Sequence, residues 1–352
     1  MIFGSDNMVG ASAPVLAAIQ AANAGEAPSY GNDPWCEAAE RDLSLVFERA
    51  VRVFFVNTGT VANSLALSAL VPPWGAVLCQ RDAHILADES SAPEFFTGGA
   101  RLIPLEARNG KLVPEVLEAR LASAGHPPHN TVPRAISITQ ANERGLIYTP
   151  AEVAALAEVG RRHGLRLHMD GARFANAIAA LGCSPAEVTW RAGVDVLCLG
   201  ASKNGALMAE AVVFFDTNLA QDFAYRVKRA GQMAAKGRFF GAQFGAWLKD
   251  GHWLTLARQA NAVAQVLGEG LASVPGARVV WPVQANEVFA VLPKTLAASL
   301  REQGAVFYDW PAETLPPETP LGADECLVRL VASFASTRAQ ADALCAAAHA
   351  CA

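Results

Sequence analysis

Residues 194–215 read Val194-Asp-Val-Leu-Cys-Leu-Gly200, then Ala-Ser-Lys203-Asn-Gly205, then five residues, then Ala211-Val-Val-Phe-Phe215. Two short runs, apolar at nearly every position, flank a turn of small residues. A strand that is apolar on both faces is covered on both sides, as in a mostly parallel sheet. The same signature recurs upstream at Val51–Val56, Ala76–Gln80, Arg101–Leu105, Ala135–Thr139 and Arg166–Met169. Helix-patterned stretches lie between these runs at Val61–Leu70, Pro114–Ser123, Pro150–His163 and Pro185–Ala192. Pro114, Pro150 and Pro185 fall where a first helical turn starts, with Thr149 and Ser184 in front as N-caps. Strands alternating with helices predict an α/β domain with helices on both faces of a seven-stranded, mostly parallel sheet.

The rhythm changes after about residue 245. A long helix is expected over Trp253–Ser273, strands at Ala277–Trp281 and Glu287–Leu292, and a helix near Thr295–Gln303. Strands at Val306–Trp310 and Cys326–Ala332 and a terminal helix from Thr337 complete a smaller α+β unit. The chain therefore divides into an irregular N-terminal arm (1–40), a large domain (41–245) and a small C-terminal domain (246–352). The 352 residues are 52% hydrophobic and 17% charged, enough apolar material for a core and too much for a disordered chain. No apolar run is long enough for a membrane span. The net charge of −5 comes without a basic patch, so neither a membrane nor a nucleic acid is an expected partner. Seven scattered cysteines form no Cys-x-x-Cys pair, which gives neither a disulfide framework nor a metal site. The first residues lack the pattern of a signal peptide, and a cytoplasmic location is expected.

Four positions carry chemistry. Lys203 stands in a turn between two buried strands, in a chain where only six of 28 basic residues are lysines. A desolvated amine at a sheet edge can form a Schiff base; in a solvated turn it would be an ordinary surface charge. Asp170 ends the run Arg166–Met169, 33 residues before Lys203, about one β-α-β unit away. It is either a strand-end ligand group or the cap of the next helix. Arg173 lies beside it if that turn is helical. Thr58-Gly59-Thr60 opens a helix after the first strand, which makes either an anion cradle or a plain cap. His84 follows the second strand within Arg-Asp-Ala-His-Ile-Leu-Ala-Asp-Glu. Neither a Rossmann fingerprint nor a P-loop nor a zinc-protease motif is present.

These residues, with Ser5-Asp6-Asn7, Tyr30-Gly31-Asn32-Asp33, His168-Met-Asp-Gly-Ala-Arg173, Lys203-Asn-Gly205 and the Lys228–Arg238 stretch, carry a resemblance. The chain resembles the L-threonine aldolase family, in its low-specificity bacterial branch, among fold type I pyridoxal 5′-phosphate (PLP) enzymes. The resemblance implies an aspartate aminotransferase-like, PLP-dependent transferase-like large domain. It implies PLP held by Lys203 as a Schiff base, with Asp170 at the pyridine nitrogen and Thr58, Gly59 and Thr60 at the phosphate. It further implies that Arg238 reaches the phosphate from a neighbouring subunit and that His84 covers the ring and handles the β-hydroxyl proton. Ser5, Arg173 and Arg329 would clamp the substrate carboxylate, Arg173 also bordering the cofactor, and Tyr30 would arrive from a partner subunit.

The implied reaction is reversible cleavage of L-threonine, L-allo-threonine or related β-hydroxy-α-amino acids such as phenylserine to glycine and an aldehyde. The implied assembly is a homo-oligomer, a dimer of dimers with sites at the dimer interface. One departure stands out: relatives read Glu-Asn-Thr-His-Asn-Gly where this chain has Gln140-Ala-Asn-Glu143-Arg-Gly145, so Glu143 is a candidate acid/base. Gly-Ala-Ser before Lys203 also replaces an expected Gly-Gly-Thr. The competing readings are a PLP-dependent β-eliminating lyase or aminotransferase on the same fold, and a non-catalytic small-molecule-binding α/β protein.

Overall fold

A computed structural model describes residues 1–123 and 125–352. Its central sheet is built from β1 (Arg52–Val56), β2 (Gly75–Gln80), β3 (Arg101–Leu105), β4 (Val132–Thr139), β5 (Arg166–Gly171), β6 (Val196–Gly200) and β7 (Glu210–Phe214), in the spatial order β1-β7-β6-β5-β4-β2-β3. All pairings are parallel except those of β7, which runs opposite to both β6 and β1. The seven expected strands are thus present, in the expected mostly parallel sheet.

The two-sided burial read from the sequence follows from how alternate side chains are shared between two cores. Ile136, Leu167, Leu197 and Val213 enter one cluster, whereas Ala135, Val196, Val212 and Phe214 enter the other. Burying a Val, Leu, Ile or Phe side chain contributes about 1.5–3 kcal/mol each, so both faces hold the sheet. Helix starts follow their caps. Thr149 and Glu152 form a capping box at Pro150–Arg162, and at Pro185–Val188 Glu187 accepts the Ser184 N–H at 2.7 Å. Thr58 caps the helix Gly59–Leu70, its side chain accepting from the Val61 N–H.

A second, antiparallel sheet runs β10-β11-β9-β8, with β8 Arg278–Val279, β9 Glu287–Pro293, β10 Tyr308–Asp309 and β11 Glu325–Val331. The N-terminus is stitched to it: Phe3 is fully buried, its N–H bonds to the Val306 carbonyl, and its carbonyl accepts from Val331. This fixes where Ser5, Asp6 and Asn7 enter the molecule.

Some expectations need correction. The stretch 1–40 is not an irregular arm. It holds the helix Ala13–Ala22 and most of the helix Pro34–Val46, the latter capped by Asp33. Gly25, Pro28, Gly31 and Asn32 lie between the two helices, whereas Pro14 and Pro34 sit in their first turns, where a proline is tolerated. The strands expected at Ala277–Trp281 and Val306–Trp310 shrink to two residues each, because both lie at sheet edges and pair on one side only. The helix expected over Pro185–Ala192 breaks at Thr189, whose φ −112° and ψ −108° are not helical.

The ends of β5 and β6 are pressed together. A Cβ on Gly171 would lie 2.7 Å from the Cys198 carbonyl oxygen, and one on Gly200 2.8 Å from the backbone of Ala172. Only glycine lets these two strand ends meet. Gly200→Ala is therefore expected to lower stability by about 1–3 kcal/mol through overpacking, read as a lower midpoint in urea or thermal unfolding.

Candidate active site

The parallel strands deliver their carboxyl ends to one edge of the sheet, where ligands of α/β proteins bind. Thr58 follows β1, His84 follows β2, Glu143 follows β4, Asp170 closes β5 and Lys203 follows β6. These residues line one cavity of about 390 Å³, a volume suited to a small cofactor with substrate. The sequence placed them at separate strand ends, and the topology brings them together.

Lys203 stands in the short 3-10 turn Ser202–Asn204. That turn is anchored from behind: Asn204 donates to the Trp253 carbonyl at 2.8 Å, and the fully buried Trp247 donates its indole N–H to the Asn204 carbonyl at 2.8 Å. Beside it, Glu210 opens β7 and accepts the Ala201 N–H at 3.3 Å. Burial pushes the Glu210 carboxyl up to about 7, against the pull of the Ser202 hydroxyl and the Lys203 charge.

Asp170, nearly buried, accepts the Ala172 N–H on one oxygen at 2.9 Å and Asn63 Nδ2 on the other at 2.8 Å. The same Asn63 amide donates to Glu89 Oε1 at 2.9 Å, and His84 Nδ1 meets that oxygen at 2.9 Å. A chain Asp170–Asn63–Glu89–His84 thus runs along the cavity wall. The Glu89 contact raises the His84 imidazole above its ordinary value, and burial raises the Glu89 carboxyl. Donor atoms of His84, Glu89 and Asp170 lie within 4.8 Å of one another. Asn63 already bridges Asp170 Oδ2 and Glu89 Oε1, which makes the group a hydrogen-bonded chain. Asn63 and Glu89 close two stretches quoted from the sequence, Thr58–Asn63 and Arg81–Glu89, and neither was given a role there, because their partnership forms only in the fold.

Glu143 joins the site from the β4 side. It accepts from the Thr139 hydroxyl at 2.7 Å, from the His84 backbone N–H at 2.9 Å and from Gln80 Nε2. Burial nevertheless pushes its carboxyl up to about 7. Its grip on the His84 main chain fixes where the imidazole begins.

The residues expected to clamp a carboxylate are arranged differently. Residues 170–173 are not helical, since Arg173 caps the helix Phe174–Leu181 with φ −122° and ψ 30°. Arg173 lines the cavity, but its Nε and Nη2 bond Asp6 at 2.8 and 3.1 Å, and Nη2 lies 3.5 Å from Glu287. Asp6 is 1% exposed and also accepts from Asn286 at 3.0 Å. Burial opposes its charge, but Arg173 and Lys203 together hold its carboxyl below the usual value. Arg329 Nη1 lies 3.7 Å from the same Glu287 oxygen, Oε1, and its guanidinium stacks over Trp310. Ser5 accepts the Asn7 N–H and does not line the cavity, whereas Asn7 does. Tyr30 and Arg238 lie elsewhere. Tyr30 is half exposed beneath Lys228, and Arg238 donates to the Gly25 carbonyl at 3.0 Å. Within one chain neither reaches the cavity.

The donor set fits PLP. An amine with no hydrogen-bond partner among the described residues, a buried carboxylate across the cavity and a helix N-terminus with free N–H groups match a carbonyl carbon, a pyridine nitrogen and a phosphate.

Two outcomes follow from these pairings. Asp6→Ala removes the hydrogen-bonded partner of the buried Arg173 guanidinium and leaves it Glu287 at 3.5 Å, and is expected to cost about 3 kcal/mol in urea unfolding, with Asp6→Asn costing less. Glu143 takes up a proton in the folded protein at higher pH than in the unfolded chain, so it lowers stability as pH rises from about 4.5 to about 7. Glu143→Gln is expected to flatten that part of the curve. The difference between the two proteins in unfolding free energy against pH isolates it from Glu210, which acts with the same sign.

A family model described as beta-eliminating lyase matches residues 3–295. The chain is 44% identical over 306 residues to the low-specificity L-threonine aldolase of a Pseudomonas species, covering 87% of this chain and 88% of that one. It is likewise 44% identical to the enzyme so named in Pseudomonas aeruginosa, over 88% and 90% of the two chains. Its fold superposes on the threonine aldolase of Leishmania major with a TM-score of 0.91, 28% identity and coverage of 99% and 98%. The chain belongs to the beta-eliminating lyase family and, within it, to the low-specificity L-threonine aldolases.

Proposed function

We propose that this protein is a PLP-dependent aldolase that cleaves L-threonine, L-allo-threonine and related β-hydroxy-α-amino acids to glycine and an aldehyde. The observation that carries the reading is the convergence of Lys203, Asp170 and the Thr58–Thr60 helix start on one cavity, in a chain of this family. Lys203 would hold the cofactor through its amine, Asp170 would keep a proton on the ring nitrogen, and Thr58, Gly59 and Thr60 would take the phosphate. When bound, PLP supplies an electron sink for the charge left on Cα as the Cα–Cβ bond breaks.

The chain's own residues then orient the substrate and move protons. His84 has Nδ1 committed to Glu89, which leaves Nε2 to take the β-hydroxyl proton. Glu143, poised near neutrality, serves as the second acid/base or orients a water at the same carbon. Arg173 and Arg329 flank the carboxylate position, and bidentate guanidinium geometry suits that task. Ser5 lies one residue from the Arg173 partner Asp6, and we assign it to the same end of the substrate.

We further propose a division into an N-terminal segment (1–40), a large domain (41–245) and a small domain (246–352). In a homo-oligomer, a dimer of dimers, a partner subunit's copies of Tyr30 and Arg238 would complete each site. Among the described residues no helix is long and apolar enough to cross a membrane. A cytoplasmic location belongs to the same proposal.

The test is incubation of the PLP-loaded protein with L-threonine, L-allo-threonine and L-phenylserine. Glycine and aldehyde in equal amounts are expected, with Lys203→Ala losing both the cofactor's visible band and the activity. Ammonia and a keto acid instead of glycine would move the assignment to elimination, and a keto acid without free ammonia, the amino group remaining on the cofactor, would move it to transamination.

A further inference from the structure

One cavity-lining carboxyl has no part in that scheme. Glu210 opens β7, the strand that runs opposite to its neighbours in the large sheet, and its register partners are Gly200 on β6 and Val56 on β1. Gly200 leads directly into the Lys203 turn, and Val56 leads directly into Thr58-Gly59-Thr60. Glu210 therefore stands between the amine and the anion cradle, in the wall of the same cavity.

Its surroundings offer little to offset a second negative charge. Lys203, from the turn after β6, is the cation within its electrostatic reach, and the Cys198 thiol is the titratable group it influences on β6 itself. The helix Gly59–Leu70 packs on β7 and carries no ionisable side chain. On β1 the sole charge is Arg52, paired with Phe214 at the opposite end of β7 and bound to Glu40. The 3-10 turn Thr217–Ala220, with Asp216 before it, also touches β7 and follows its far end. A phosphate monoester in the cradle is a dianion above roughly pH 6. Set beside a buried carboxylate, it favours the neutral carboxyl, which then donates a hydrogen bond instead of repelling.

We propose that Glu210 is a proton-linked member of the phosphate site: a phosphate monoester enters at Thr58–Thr60 together with a proton that settles on the Glu210 carboxyl. This rests on the PLP reading above and adds a pH dependence of cofactor retention. The sign follows from linkage. The filled site holds more protons than the empty one, so affinity falls as pH rises above the range where empty Glu210 is already protonated. That window opens at about pH 7.

The probe is pyridoxine 5′-phosphate, which has an alcohol where PLP has its aldehyde and so leaves Lys203 chemistry out. Its dissociation constant is measured on the full-length protein freed of PLP, for wild type and Glu210→Gln, between pH 7 and 9, with pyridoxine as the phosphate-free control. Wild type is expected to lose affinity relative to the variant by about tenfold per pH unit once the window is open, roughly 50-fold from pH 7 to pH 9 for one fully linked proton. Pyridoxine should show no such difference. Equal pH dependence in both proteins overturns the role of Glu210 while leaving the PLP reading standing. If neither pyridoxine 5′-phosphate nor PLP binds wild type, the PLP reading itself fails and this inference falls with it. Should Glu210→Gln not fold, calorimetry of wild type at pH 8 in two buffers of different ionisation enthalpy counts the protons taken up. Uptake with pyridoxine 5′-phosphate and not with pyridoxine supports the proposal, and no uptake overturns it.

Discussion

The close approach of β5 to β6 is the constraint on which the site depends. Asp170 and Lys203 must face one cavity from neighbouring strands, and the two backbones meet at Gly171 and Gly200 with no room for a Cβ. That contact brings the carboxylate and the amine to one sheet edge and sets the distance between the turns that carry them. The packing behind the Lys203 turn completes the constraint. Trp247 and Trp253, buried against each other at 5.3 Å between ring centroids, each take one hydrogen bond with Asn204 and leave the turn no freedom to slide. Rigid backbone behind a reactive side chain is what pre-organisation requires, because a geometry fixed by folding costs nothing when ligand arrives.

The large sheet was legible because its strands are covered on both faces, so each reads as an unbroken apolar run bounded by turn residues. The chemistry at the strand ends was legible for a related reason. Lys203, Asp170 and the Thr58–Thr60 turn are polar residues abutting such runs, where a sequence pattern changes abruptly. Short edge strands such as Arg278–Val279 carry no such signal, since one-sided pairing demands little of composition. The helix Ala13–Ala22 was hidden for the opposite reason, its alanines being common to helix and loop in an alanine-rich chain.

Partnerships made across the fold left no trace in the sequence. Asn63 bonds Asp170 across 107 positions, and Asp6 bonds Arg173 across 167. No spacing rule spans such separations. Asp6 was quoted as part of a motif and given no role, although its carboxylate occupies one side of the guanidinium assigned to the substrate. The N-terminal segment that carries it is held by main-chain bonds from Phe3 to the second sheet. Arg173 is thereby tied to both sheets at once, through Asp6 on one side and Glu287 of β9 on the other. A change in how the two sheets meet would alter the guanidinium, and a carboxylate arriving at Arg173 would be felt by the second sheet.

Charge accounting draws these features into one picture. The cavity wall carries four carboxyl groups, those of Glu89, Glu143, Asp170 and Glu210, against Lys203 and an Arg173 already paired with Asp6. A site meant for a phosphate and a carboxylate would be expected to be rich in cations, and this one is not. Desolvation eases the conflict, since burial raises the Glu89, Glu143 and Glu210 carboxyls and so favours their neutral forms. A neutral carboxyl can surrender its proton as charge moves, which a guanidinium cannot do in a protein. Substituting acids for cations therefore exchanges static attraction for proton mobility. That exchange suits a reaction whose steps are the removal of one proton from an oxygen and the return of another to a carbon.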